Sequence, residues 1–107
     1  MDKKVNQMVL ELRNALKDSL EDFEGLYLYG SQAKGSAKAD SDVDVVVILR
    51  GSSVDKKKRW IIWDIVSFLD YKYDMVFDLH PMTMKELERN PIFHNEVVNK
   101  GIFYEAA

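Results

Sequence analysis

"GSQAKGSAKADSDVDVVVIL" spans residues 30–49, and its reading decides the fold. The first half is glycine, serine and alanine, material for a loop with at most one helical turn. The second half, "DVDVVVIL" at 42–49, is a β-branched run that reads as a central strand covered on both faces. Strand side chains alternate, so Asp42 and Asp44 point one way and Val43, Val45 and Val47 the other. Like charges placed side by side repel, and the fold gains nothing from them. A divalent cation removes the conflict, and hard carboxylate oxygens suit Mg²⁺. The preceding loop offers the backbone N–H groups of Gly30, Ser31 and Gly35, a pattern that binds phosphate. A phosphate grip beside a cation site is what a nucleoside triphosphate requires.

Outward from this stretch, the chain punctuates itself. Val5, Met8, Val9, Leu12, Leu16, Leu20 and Phe23 recur at steps of three and four, which predicts an amphipathic helix over 3–23 stopped by Gly25. "LYLYG" at 26–30 predicts a strand leading into the loop. After the breaker "RGSS", a second helix is predicted over 54–70 with Trp60, Ile61, Ile65, Val66 and Leu69 inward. "DMVFDLH" at 74–80 predicts a third strand ending at Pro81. Thr83 and Glu86 form a capping box for a short helix over 84–89. Asn90 and Pro91 open a last helix ending near Gly101, and "IFYE" returns as an edge strand. A helix between the second and third strands implies a parallel crossover, and the short link between the first two suits an antiparallel pair. The expected class is α+β: a small mixed sheet with helices packed on one side.

Composition narrows the function classes. At 107 residues, one domain over 1–107 is expected, without room for a second substrate-binding domain. The net charge of −3 argues against a large nucleic-acid footprint. There is no cysteine, hence no disulfide framework and no thiolate zinc site. No apolar run is long enough to span a membrane, and the charged amphipathic start does not read as a signal peptide, so a cytoplasmic protein is expected.

The stretch at 30–44 resembles the G-S-x-A-x-G…S-D-x-D signature of the DNA polymerase beta-like nucleotidyltransferases, in particular the minimal nucleotidyltransferases. Gly30 and Ser31 fall on the family's phosphate-binding pair, and Ala33 and Gly35 on its small positions. Ser41, Asp42, Val43 and Asp44 reproduce the acidic end. Lys34 stands where the family carries arginine, keeping charge but losing the bidentate fork. The family expects a third carboxylate on the third strand. Asp78 matches it, with Asp74, four residues earlier and on the same strand face, as the competing choice. The resemblance implies a Mg²⁺-dependent transfer of NMP, AMP in particular, from a nucleoside triphosphate to a hydroxyl. Asp42, Asp44 and Asp78 would hold two ions and carry catalysis, while Gly30, Ser31, Lys34 and Gly35 hold the nucleotide. It also implies a helical HEPN-type partner, with this chain as antitoxin and a tyrosine of that partner as acceptor.

Two other readings compete. One is a non-catalytic module that neutralises such a partner by covering it. The other is a small-molecule transferase, which the missing acceptor domain disfavours. His80 and His94 read as structural or surface residues, and Trp60 and Trp63 as core or interface. "DKKKR" at 55–59 reads as a solvated helix face, with docking of an acidic partner or RNA as the sharper reading.

Overall fold

A computed structural model describes residues 2–106. The chain runs α1 (Lys3–Ser19), β1 (Phe23–Tyr29), α2 (Gly30–Lys34), β2 (Val43–Leu49), α3 (Lys56–Tyr73), β3 (Phe77–Met82), α4 (Met84–Glu88), α5 (Pro91–His94), a π-helical turn (Asn95–Asn99) and β4 (Ile102–Glu105). The sheet order is β3-β2-β1-β4. β1 pairs antiparallel with both β2 and β4, and β2 pairs parallel with β3. The mixed α+β architecture read from the sequence is the one observed.

β2 is buried from Val45 through Leu49 because it is covered twice. Val43, Val45, Val47 and Leu49 pack with the inner stripes of α1 and α3. Val46 and Ile48 face the other way, against Leu87 and Val97. Each fully buried Val, Leu or Ile contributes about 1.5–3 kcal/mol. The two long helices lie on one face as expected. The short C-terminal elements also cover part of the opposite face, which the one-sided expectation left out. The Thr83–Glu86 capping box and the Asn90 cap set where these short helices begin, and Leu87, Phe93 and Val97 pack on that face with Val46 and Ile48.

Other boundaries shift for identifiable reasons. α1 ends at Ser19, and Gly25 lies inside β1, where the Phe103 ring and the Tyr104 carbonyl leave no room for a Cβ. α3 continues to Tyr73, whose hydroxyl donates to Glu11 on α1 at 2.7 Å. That extra turn delays β3 to Phe77, and β3 carries Pro81 within it. An edge strand tolerates the missing N–H. The buried stripe of α3 is Ile62, Val66, Leu69 and Tyr73, spaced by four, three and four. Trp60 is not inward as expected; it is 64% exposed.

Candidate active site

The acidic face is assembled by strand register. In the parallel pairing Asp44 lies opposite Asp78, and in the antiparallel pairing it lies opposite Tyr29. All three therefore share the sheet face that α1 and α3 do not cover. Asp42 precedes β2 and is exposed. The charge of Asp42 and that of Asp78 both reach Asp44. Burial first, and then the neighbouring charges of Asp78 and Asp42, push the Asp44 carboxyl above the usual range. A side-chain hydrogen bond to Asp78 adds to this. Tyr29 is pushed up to about 12, chiefly by burial and then by the charges of Asp44 and Asp78. Its hydroxyl thus stays protonated in a negative field.

Asp74 is placed elsewhere. It caps α3 in a left-handed conformation, φ 50°. There it borders a cleft of about 660 Å³ behind the loop, shared with Gln32, Lys38 and Met75. Asp78 rather than Asp74 is the carboxylate brought to Asp44.

The glycine–serine loop opens as α2, capped by Tyr29 without any side-chain hydrogen bond to its first N–H groups. Gly30 has φ +71°, and a Cβ there would fall onto Asp44 Oδ2. Only glycine lets the first turn of α2 close down on the carboxylate. Gly35 ends α2 in the left-handed conformation, and its N–H donates to the Ser31 carbonyl. Two polar side chains shape the rest of the loop. Buried Gln32 donates to the Ser41 carbonyl at 3.4 Å, and Ser41 Oγ accepts the Lys38 N–H at 2.8 Å. Ser41 therefore sets the loop's return into Asp42. Lys34 is exposed, and its Nζ donates to Glu96 Oε2 at 3.2 Å, while Lys100 donates to the same carboxylate at 2.9 Å.

Three further groups border the acidic face. His80 Nε2 lies 3.2 Å from Asp78 Oδ1. Phe93 meets Tyr29 edge-on with centroids 5.5 Å apart, and meets His80 edge-on at 6.3 Å. His80 reads from the sequence as a structural or surface residue, and nothing in the sequence singles out Glu96 or Phe93. Parity alone could have placed His80, since it stands two residues from Asp78. Phe93 and Glu96 come from the folded-back tail, for which no local signal exists.

Among the described residues, no three His, Asp or Glu side chains stand close enough together to form a ready-made metal cage. Like-charged carboxylates hold one another apart. The chemistry of the set nevertheless fits magnesium, which needs only one or two carboxylates and takes its other oxygens from water and phosphate. A carboxyl with its proton affinity raised by other carboxylates gains most from a cation.

The nucleotidyltransferase domain model matches residues 9–104. A Methanocaldococcus jannaschii protein named "Putative protein adenylyltransferase" is 31% identical over 98 residues, 92% of this chain and 92% of that protein. Among solved structures, one chain of a toxin–antitoxin complex with AMP-PNP superposes with a TM-score of 0.64 at 23% identity, covering 91% of this chain and 69% of that one. A chain from the Shewanella oneidensis complex of a tri-AMPylated HEPN toxin with its MNT antitoxin gives 0.60 at 20% identity, covering 92% and 70%. At these identities the two structures bear on the fold alone.

Proposed function

The chain belongs to the nucleotidyltransferase domain family, and we propose that it transfers AMP from ATP to a hydroxyl on a helical HEPN-type partner protein. The observation that carries this reading is the register of Asp44 against Asp78, with Gly30 fitted onto Asp44. The similar protein named as an adenylyltransferase and the complexes of HEPN toxins with MNT antitoxins support the nucleotide and the partner class.

Asp42, Asp44 and Asp78 would hold magnesium, which when bound neutralises the triphosphate and the departing pyrophosphate. The residues of the chain do the rest by position and charge. The N–H groups at the start of α2 grip the outer phosphates, oriented by Gly30 and Ser31. Lys34 leaves Glu96 to meet the same phosphates. Asp78, on the exposed side of the pair, receives the proton of the attacking hydroxyl, and His80 stands within reach to pass it to solvent. The hydroxyl oxygen bonds to the α-phosphorus as the bond to the bridging oxygen breaks. Tyr29, held neutral, and Phe93 form an apolar wall beside the carboxylates.

One observation favours a second reading, a module that neutralises its partner by covering it: Lys34 is already engaged by Glu96. The experiment that separates the two supplies α-labelled ATP and Mg²⁺ to the protein together with a HEPN-type partner. The transferase reading expects label on the partner, lost in Asp44→Asn while the two proteins still co-elute. Full neutralisation of the partner by Asp44→Asn would favour the covering module.

A further inference from the structure

The cleft of about 660 Å³ behind the glycine–serine loop takes no part in the chemistry above. It lies across α2 from the acidic face. Gly30 closes on Asp44, and Gln32, two residues on, is turned by about 200° around the helix. Gln32 is only 6% exposed, and its amide nitrogen donates to the Ser41 carbonyl at a long 3.4 Å. Its amide oxygen accepts nothing among the described residues, yet no sealed side-chain polar atom among them lacks a partner. That oxygen therefore opens into the cleft that Gln32 lines, and a buried acceptor calls for a donor. At the rim, Lys4 and Lys38 bring ammonium groups and Asp74 a carboxylate, all exposed and in no ion pair among the described residues. Asp2 is already engaged, accepting the Lys4 and Val5 N–H groups as the cap of α1. We propose that this cleft binds a nucleoside monophosphate, with its phosphate on Lys4 and Lys38, its sugar hydroxyls on Asp74 and an N–H of its base on Gln32.

The ligand class follows from what each group needs. A cation or polyamine would meet two ammonium groups. A dicarboxylate or polyphosphate would satisfy the lysines, but it would be repelled by Asp74 and leave Gln32 without a donor. An apolar molecule would strand all four polar groups. A lone phosphate would fill a small part of a cleft whose volume is in the range of about 300–1,000 Å³ that suits a larger organic ligand. A phosphorylated nucleoside offers an anion at one end and hydroxyl and N–H donors at the other. Carboxylates take ribose hydroxyls, and side-chain amides take the edges of bases. Val5 and Met75 add apolar surface for the ring. The cleft also touches the loop's geometry, because Gln32 holds Ser41, the residue before Asp42. A ligand that engages the amide braces the chain where it enters the acidic pair. The inference does not rest on the transfer reaction, and its test needs no metal.

The test is a calorimetric titration of the full chain in chelator, without divalent cation, against AMP, GMP, CMP and UMP, and against ribose 5-phosphate and inorganic phosphate. At least one of the nucleotides should bind, one molecule per chain, more tightly than ribose 5-phosphate and far more tightly than phosphate. Lys4→Glu and Lys38→Glu should each weaken that binding by about tenfold or more, the scale for losing a charged hydrogen-bond partner. Their melting temperatures should stay near the wild type's, because both side chains are exposed. Gln32→Met, which keeps the bulk and removes the amide, should erase the advantage over ribose 5-phosphate. The variant carrying Asp42→Asn and Asp44→Asn should bind as wild type does. The proposal is overturned if none of the nucleotides binds, or if phosphate alone binds as tightly. It is equally overturned if binding ignores both lysine variants, if the advantage of the base survives Gln32→Met, or if binding is lost with Asp42 and Asp44, which would place the nucleotide on the acidic face.

Discussion

Asp44 and Asp78 face each other across the parallel pairing of β2 and β3. Burial first, and then the neighbouring charge of Asp78, raises the Asp44 carboxyl above its ordinary value. The fold therefore holds an electrostatic conflict at the point where it should bind a cation and a triphosphate.

Asp44→Asn should separate stability from function. The folded state raises the Asp44 pKa. Its contribution is thus present while the acid is protonated, below the ordinary Asp range, and is lost as pH rises through the raised value. Asparagine mimics the protonated acid. The variant should melt higher than wild type at neutral pH in the absence of metal, and the gain should vanish in acid. Nucleotidyl transfer should fall by about 10²–10³-fold or more, the scale for removing one preorganised electrostatic group. Paired melting curves and label-transfer rates check both.

Gly30→Ala should cost on two counts. A non-glycine residue held at φ +71° is strained by about 1–3 kcal/mol. Its Cβ would also displace Asp44 Oδ2. Chemical denaturation should register the strain. Triphosphate binding should weaken further than the lost stability explains, whereas Gly35→Ala, with open space around its Cβ, should show the strain without the displacement.

The Lys34–Glu96 pair predicts a competition. Glu96 is held ionised by Lys100 and Lys34, and its carboxyl lies below the ordinary value. Removing it should free Lys34 for phosphate. Glu96→Gln should tighten ATP binding, and Lys34→Ala should weaken it by about 1–3 kcal/mol, the range for losing a charged hydrogen-bond partner. Lys34→Arg should keep or improve affinity. Calorimetric titration of the three variants decides. Equal dissociation constants for wild type and Lys34→Ala would mean that backbone N–H groups alone hold the phosphates.

Glu11 ties α1 to α3 through Lys72 Nζ, at 2.8 Å, and the Tyr73 hydroxyl, at 2.7 Å. These bonds lower its pKa, Lys72 first. The stabilisation is present above the ordinary glutamate range and is lost as pH falls through the lowered value. Glu11→Gln should lower the melting temperature at neutral pH, and the gap should close in acid.

Much of this site was legible in the sequence because its parts are local. The loop from Gly30, the pair Asp42 and Asp44, and the valine alternation of β2 lie within one stretch, and the period-two rule orients them. Asp78 needed a register between distant strands. Parity allows both Asp74 and Asp78; the family resemblance favours Asp78 and a turn position for Asp74, and α3 ends at Tyr73 with Asp74 as its cap. Trp60 is expected inward because hydrophobicity is read as a sign of burial, yet the residue stands exposed on α3. Phe93 and Glu96 reach the site by a tail folded over the sheet, a long-range event with no local mark.

The central claim is that Asp42, Asp44 and Asp78 hold a metal-bound triphosphate. The most direct measurement is the melting temperature of the protein with Mg²⁺ and a non-hydrolysable ATP analogue, each alone and both together, for wild type and for the variant carrying Asp42→Asn and Asp44→Asn. Wild type should be stabilised strongly only by the combination, by about 2.7 kcal/mol at a ligand concentration near 100 times Kd. The double variant should lose that gain. A stabilisation that survives unchanged in the double variant would contradict the assignment.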